Sequence, residues 1–159
     1  MRIRAEPLTA EAFAPFGSVF EAPAEKGRLY LDAQLATARP GWSASLSVSR
    51  SGPPATLPLV ATKMERHAYS TQTFVPIEPA RYLIMVAPTA ADGGPDAARA
   101  RAFIARPGQG ITYAMNTWHH PMTVLDSPAG FAVMMWRNGG LDDEHWHTLK
   151  EPIEILPPG

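Results

Sequence analysis

Seventeen prolines divide this chain of 159 residues into short runs. A proline ring fixes φ and removes a backbone donor, which bars it from helix interiors and central strands. Spread along the whole length, the prolines leave no room for long helices. Short apolar runs between turn residues read instead as strands. One helix fits near the start: Thr9 can cap it, Glu11 lies in its first turn, and Pro15 and Gly17 stop it.

Alternation of apolar and polar residues predicts strands over 18–21, 42–49, 63–70, 73–77, 103–105, 111–114, 122–125 and 131–136. In 42–49, Trp42, Ala44, Leu46 and Val48 share one face. Residues 81–87 (RYLIMVA) are apolar on both faces and are expected to be buried. Residues 22–40 carry no clear pattern, and 88–100 read as a loop with a helical turn after Pro95. From Leu141 onward the chain reads as a polar, frayed tail. About nine or ten short strands make an all-β sandwich or barrel, with 1–159 as one domain and no linker or internal repeat.

Composition excludes several classes of function. Lys and Arg number 14 against 15 Asp and Glu, a net charge of −1. Binders of nucleic acid or anionic membranes carry a basic excess, so neither partner is expected. No apolar run approaches the ~20 residues of a membrane span, and the N-terminus lacks a signal-peptide core. With no cysteine, disulfides, thiolate metal sites and cysteine nucleophiles are ruled out. A cytoplasmic protein acting on a small molecule fits these limits, with no organic cofactor.

All five histidines fall in three segments: Glu65-Arg66-His67, Trp118-His119-His120-Pro121 and Glu144-His145-Trp146-His147. On a strand, Lys63, Glu65, His67 and Tyr69 project to one side and Arg66 to the other. Gln72 follows after an expected bulge at Ser70-Thr71. A carboxylate, an imidazole and an amide converging on one face suit a divalent cation. His119 and His120 point to opposite sides of an extended segment, so one faces a site and the other supports it. The third segment, inside the tail, is expected to be solvated. Arg137 can grip a carboxylate in bidentate fashion.

These segments are similar to the two cupin motifs. Glu65-x-His67-x4-Gln72 keeps the frame of the first, with changed ligand types. Gly108 and His119 keep the spacing of the second, with Asn116 at its second glycine; Asn tolerates positive φ. The two lie in the right order, roughly 50 residues apart. The runs Met64-Glu65-Arg66-His67, Gln72-Thr73-Phe74-Val75-Pro76, Arg106-Pro107-Gly108-Gln109-Gly110-Ile111-Thr112-Tyr113 and Trp118-His119-His120-Pro121 resemble the signatures of the ureidoglycolate lyase family. So does the opening Pro7-Leu8-Thr9-Ala10-Glu11-Ala12-Phe13-Ala14-Pro15-Phe16-Gly17.

The resemblance implies a cupin-type double-stranded β-helix (a jelly-roll barrel) with a short N-terminal helix. It implies a homodimer that splits (S)-ureidoglycolate into glyoxylate and urea in allantoin breakdown, with nickel associated. On that reading Glu65, His67, His119 and His120 are the catalytic candidates. Lys63, Gln72, Tyr113 and Arg137 are the substrate-binding ones. Glu65, His67, Gln72 and His119 are the ligands if a metal is bound; without one, Glu65 acts as base and His119 as acid. Trp136-Arg137 stands where the family tends to have Asp-Arg. Two other readings therefore stay open: a cupin enzyme acting on another small hydroxy or keto acid, or a non-catalytic ligand-binding cupin.

Overall fold

Fourteen of the seventeen prolines lie outside helices and strands, Pro7 and Pro76 end strands, and Pro152 sits where a strand pairing slips register. The segments between them pair as their alternation dictates. The computed structural model describes residues 1–159. In chain order the elements are β1 (Arg2–Pro7), α1 (Ala10–Phe13), β2 (Gly17–Phe20), β3 (Ser43–Arg50), β4 (Leu59–His67), β5 (Gln72–Pro76), β6 (Tyr82–Ala87), β7 (Arg101–Ala105), β8 (Gly110–Tyr113), β9 (Trp118–His119), β10 (Thr123–Val124), β11 (Gly130–Arg137) and β12 (Glu144–Leu156). Thr9 caps α1 as expected, its Oγ1 accepting from the Ala12 amide at 3.1 Å. The helical turn after Pro95 is a 3-10 turn, Ala97–Arg99. No helix is long and apolar enough to cross a membrane.

Two sheets form. One runs β10-β6-β7-β1-β12-β4-β9, and β9 also pairs with β6. That second pairing closes β6, β7, β1, β12, β4 and β9 into a six-stranded ring. The other sheet runs β2-β8-β5-β11-β3. This is the all-β double-layered fold expected.

The two-faced apolar run at β6 explains how the layers hold together. Tyr82, Ile84 and Val86 belong to a cluster of sixteen buried residues that also includes Phe74, Ile111, Phe131 and Val133 of the second sheet. Leu83, Met85 and Ala87 belong to a second cluster of twelve, drawn from all six ring strands and Ala100, which meets inside the ring. Strand β6 is therefore buried on both sides, with every residue at 2% exposure or less. α1 inserts Phe13 into the inter-sheet cluster, against Phe16, Phe103 and Tyr113.

Two segments depart from the expectation. The start of the chain forms β1, a parallel partner to both β12 and β7. The expected frayed tail is instead β12, the longest strand, which fills the gap between β1 and β4. Its alternation is masked because the register shifts between Thr148 and Ile153. Pro152 reads as a terminator in sequence, yet it is accommodated at that irregularity, where a missing donor costs no ladder bond.

Candidate active site

The strand β4 carries Glu65 and His67 on one side and Met64, which belongs to the ring interior, on the other. Strand β9 is only two residues long. It places Trp118 inside the ring and His119 on the opposite face, directly paired with Glu65 on one side and Val86 on the other. The preceding turn fixes this placement. Asn116 takes φ 68°, and its amide donates to the His67 carbonyl at 2.7 Å. The left-handed position expected from the motif frame is thus real, and it ties the His119 turn to the His67 backbone.

Glu65, His67 and His119 offer ligand atoms that all lie within 4.8 Å of one another. His119 is fully enclosed: its ring stacks on Tyr113 at 4.1 Å between centroids, and Nδ1 lies 2.9 Å from the Thr117 carbonyl oxygen. A carbonyl can only accept, so Nδ1 carries the hydrogen and Nε2 keeps a lone pair. That Nε2 lies 3.7 Å from Glu65 Oε1. His67 turns Nδ1 toward Asp143 Oδ2 at 3.6 Å. No hydrogen bond reaches either nitrogen of His67, Nε2 of His119, or Oε1 of Gln72, although all four atoms are buried. Buried polar atoms are rarely left without partners. Three electron-pair donors of the type that divalent cations take, with an amide oxygen beside them, fit a metal or a polar substrate.

Burial dominates the electrostatics. It pushes the Glu65 carboxyl up to about 7, helped by the Glu144 charge and opposed by Lys63. It pushes His119 down to about 3. His67 is also lowered, chiefly by burial, with Asp143 and Glu144 pulling the other way. Both imidazoles are therefore neutral at pH 7, and Glu65 is poised between its two forms.

Glu65 and His67 border a cavity of about 140 Å³, walled also by Trp42, Gln72, Trp136, Arg137, Asp143 and Glu144; His119 lies behind them, off its wall. That volume is smaller than the roughly 300–1,000 Å³ of sites for drug-sized ligands. A larger hollow of about 760 Å³ lies elsewhere. Its Arg99 and Arg101 are tied to Asp96 and Glu6, and it holds no comparable cluster.

The other sequence candidates are distributed as follows. Gln72 and Arg137 line the cavity. Tyr113 is not on its wall; it is the plate on which His119 rests. Lys63 lies with Nζ 4.5 Å from the centre of the Trp146 ring, at the surface. His120 faces away, with Nδ1 at 3.0 Å from the Pro121 carbonyl oxygen and its own amide donating to Met85. From the third histidine segment, Glu144 pairs with His67 and lines the cavity. His145 and His147 pair with Arg66 and Met64, on the other face. Asp143 and Glu144 read in the sequence as part of a solvated tail; the structure instead places both on the cavity wall.

With this geometry in place, the relatives are informative. The ureidoglycolate lyase family model matches residues 1–156. The chain belongs to the ureidoglycolate lyase family. A ureidoglycolate lyase of Mesorhizobium japonicum is 38% identical over 92% of this chain and 93% of its own length. One from Chelativorans is 37% identical over 99% and 98%, and one from Schizosaccharomyces pombe 33% identical over 98% and 95%. Among solved structures, a dTDP sugar isomerase from Desulfovibrio desulfuricans superposes with a TM-score of 0.50 at 16% identity, over 85% of this chain and 83% of its own. That likeness concerns the cupin-type fold alone.

Proposed function

We propose that this enzyme is a ureidoglycolate lyase, splitting (S)-ureidoglycolate into glyoxylate and urea. The observation that carries the reading is the meeting of Glu65, His67 and His119 within 4.8 Å, the first two on the wall of a small cavity that Gln72 and Arg137 also border. Membership of the family supplies the substrate.

The substrate carries a hydroxyl, a ureido nitrogen and a carboxylate on one carbon. In the reaction the hydroxyl O–H bond breaks and its electron pair forms the glyoxylate carbonyl. The C–N bond breaks with its pair passing to nitrogen, which takes up a proton. One proton leaves oxygen and one arrives at nitrogen, so a single group of intermediate acidity can serve both. Glu65, held near neutrality, takes the hydroxyl proton and returns it to the departing urea. His119 Nε2 and His67 orient the hydroxyl and exclude water. Arg137, which makes no ion pair within the chain, receives the carboxylate in bidentate fashion. Gln72 Oε1 accepts from the ureido N–H. A divalent ion, nickel on the family reading, would be held by Glu65, His67, Gln72 and His119, and would supply Lewis acidity toward the hydroxyl oxygen.

The test is direct. Purified enzyme, with and without added nickel or manganese, is expected to release glyoxylate from (S)-ureidoglycolate. Absence of release under both conditions rejects the reading.

The family reading also implies a homodimer, and the sequence composition a cytoplasmic one. Its support here is strand β3, at the edge of the second sheet, which leaves Leu46 and Val48 about 72–73% exposed. An apolar stripe at an open sheet edge favours pairing. Sedimentation is expected to give twice 17.2 kDa; a species of 17.2 kDa at micromolar concentration would refute the pairing.

A further inference from the structure

Asp143 is buried to 7% exposure and has no Lys or Arg partner. An uncompensated buried carboxylate is costly, so its retention calls for a reason. Its three oxygens are all directed at the four residues 67–70. Oδ1 accepts from the Tyr69 amide at 2.5 Å, Oδ2 from the Ser70 hydroxyl at 2.6 Å, and the backbone carbonyl from the Ala68 amide at 3.1 Å. The carboxylate is thereby held rigidly, with Oδ2 3.6 Å from His67 Nδ1. No other acceptor reaches that nitrogen.

We infer that Asp143 is a positioning residue for His67: the anchored carboxylate holds the ring in the form with hydrogen on Nδ1, leaving the Nε2 lone pair for the site. The inference rests on the assignment of His67 to the site made above, and it deepens that assignment. An imidazole chooses its tautomer by what the other nitrogen faces. At His119 the Thr117 carbonyl makes the choice; at His67 a carboxylate distant in the chain makes it. Both rings then present Nε2 lone pairs beside Glu65. A plain turn clamp would need only the Tyr69 and Ser70 bonds and would be indifferent to the ring.

Long-range 1H–15N correlation spectra of the metal-free protein, at a pH where the ring is neutral, read the tautomer directly. His67 is expected to carry its hydrogen on Nδ1 in the unaltered protein. In Asp143→Asn, whose amide can donate toward the ring, it is expected to move to Nε2. The same variant is expected to lose about 10–100-fold in kcat with KM within about 3-fold. Ser70→Ala removes one support of the carboxylate without changing the charge facing the ring, and is expected to keep the Nδ1–H form. An Nε2–H form in the unaltered protein overturns the inference, as does an unchanged tautomer in Asp143→Asn. If Asp143→Asn does not fold, the spectrum of the unaltered protein still decides. Absence of lyase activity would reject the function proposed above, while the spectra would continue to test the role of Asp143.

Discussion

Replacing Glu65 with glutamine is expected to lower kcat about 10²–10⁴-fold, the usual worth of a positioned proton-transfer group. Glutamine keeps the shape and one acceptor oxygen but cannot carry the proton from hydroxyl to nitrogen. Stability is expected to move the opposite way. The carboxyl is raised to about 7 in the fold, burial being the largest cause, against about 4.3 in an unfolded chain. Between those values the folded state binds the proton more tightly, so stability falls as pH rises through the window. A neutral side chain escapes that loss. In chelator-treated protein, the melting temperature of Glu65→Gln minus that of the unaltered enzyme is expected to be larger at pH 8 than at pH 5. A variant within about 3-fold of normal kcat would remove Glu65 from the proton path. A melting difference independent of pH would show that its ionisation carries no folding cost.

The second large effect lies in the core. Phe13→Ala is expected to destabilise the fold by about 3–5 kcal/mol, the range for truncating a buried aromatic ring. The ring has no exposed surface and meets Phe16, Phe103 and Tyr113 at centroid distances of 6.2, 5.9 and 6.0 Å. A loss of that size lowers the melting temperature by about 2–4 °C per kcal/mol in a chain of this length. Its consequence reaches the site, since Tyr113 is the surface on which His119 stacks. Thermal melting followed by circular dichroism checks the figure. A shift under about 2 °C would mean that α1 is peripheral to the fold rather than its plug.

Inverting two charge states gives the site its character. A carboxyl pushed up and an imidazole pushed down by the same burial leave both near-neutral in one small volume. A solvated Glu–His pair would be charged and mutually satisfied. Here the partners stand 3.7 Å apart, and their free lone pairs are available to a ligand. The acid and base roles expected from the residue types alone, Glu65 as base and His119 as acid, are thereby recast. A His119 that is neutral, with its one hydrogen committed to Thr117, has no proton to give, whereas Glu65 can both take and return one.

Local physics made much of this legible in the sequence. Proline spacing excluded long helices, alternation located most strands, and the two-faced run at 81–87 announced a strand buried on both sides. Strand period puts Glu65 and His67 on one face with Lys63 and Tyr69; the spacing of the two cupin motifs, with Asn116 able to take positive φ, pairs them with His119. Alternation puts His119 and His120 on opposite sides, and the motif frame picks His119 for the site. What alternation could not supply was partnership across the chain. Strand β12 looked like a tail because its pairing with β4 and β1, over separations of about 80 to 150 residues, is stabilised only by the assembled ring. Asp143 and Glu144 came with it, two carboxylates among several in a polar stretch, given meaning only by what β4 brings beside them. The residue types at the site were thus set by the sequence, whereas their burial, tautomers and acidities were decided by the tertiary structure, because desolvation depends on which distant strands close over a side chain.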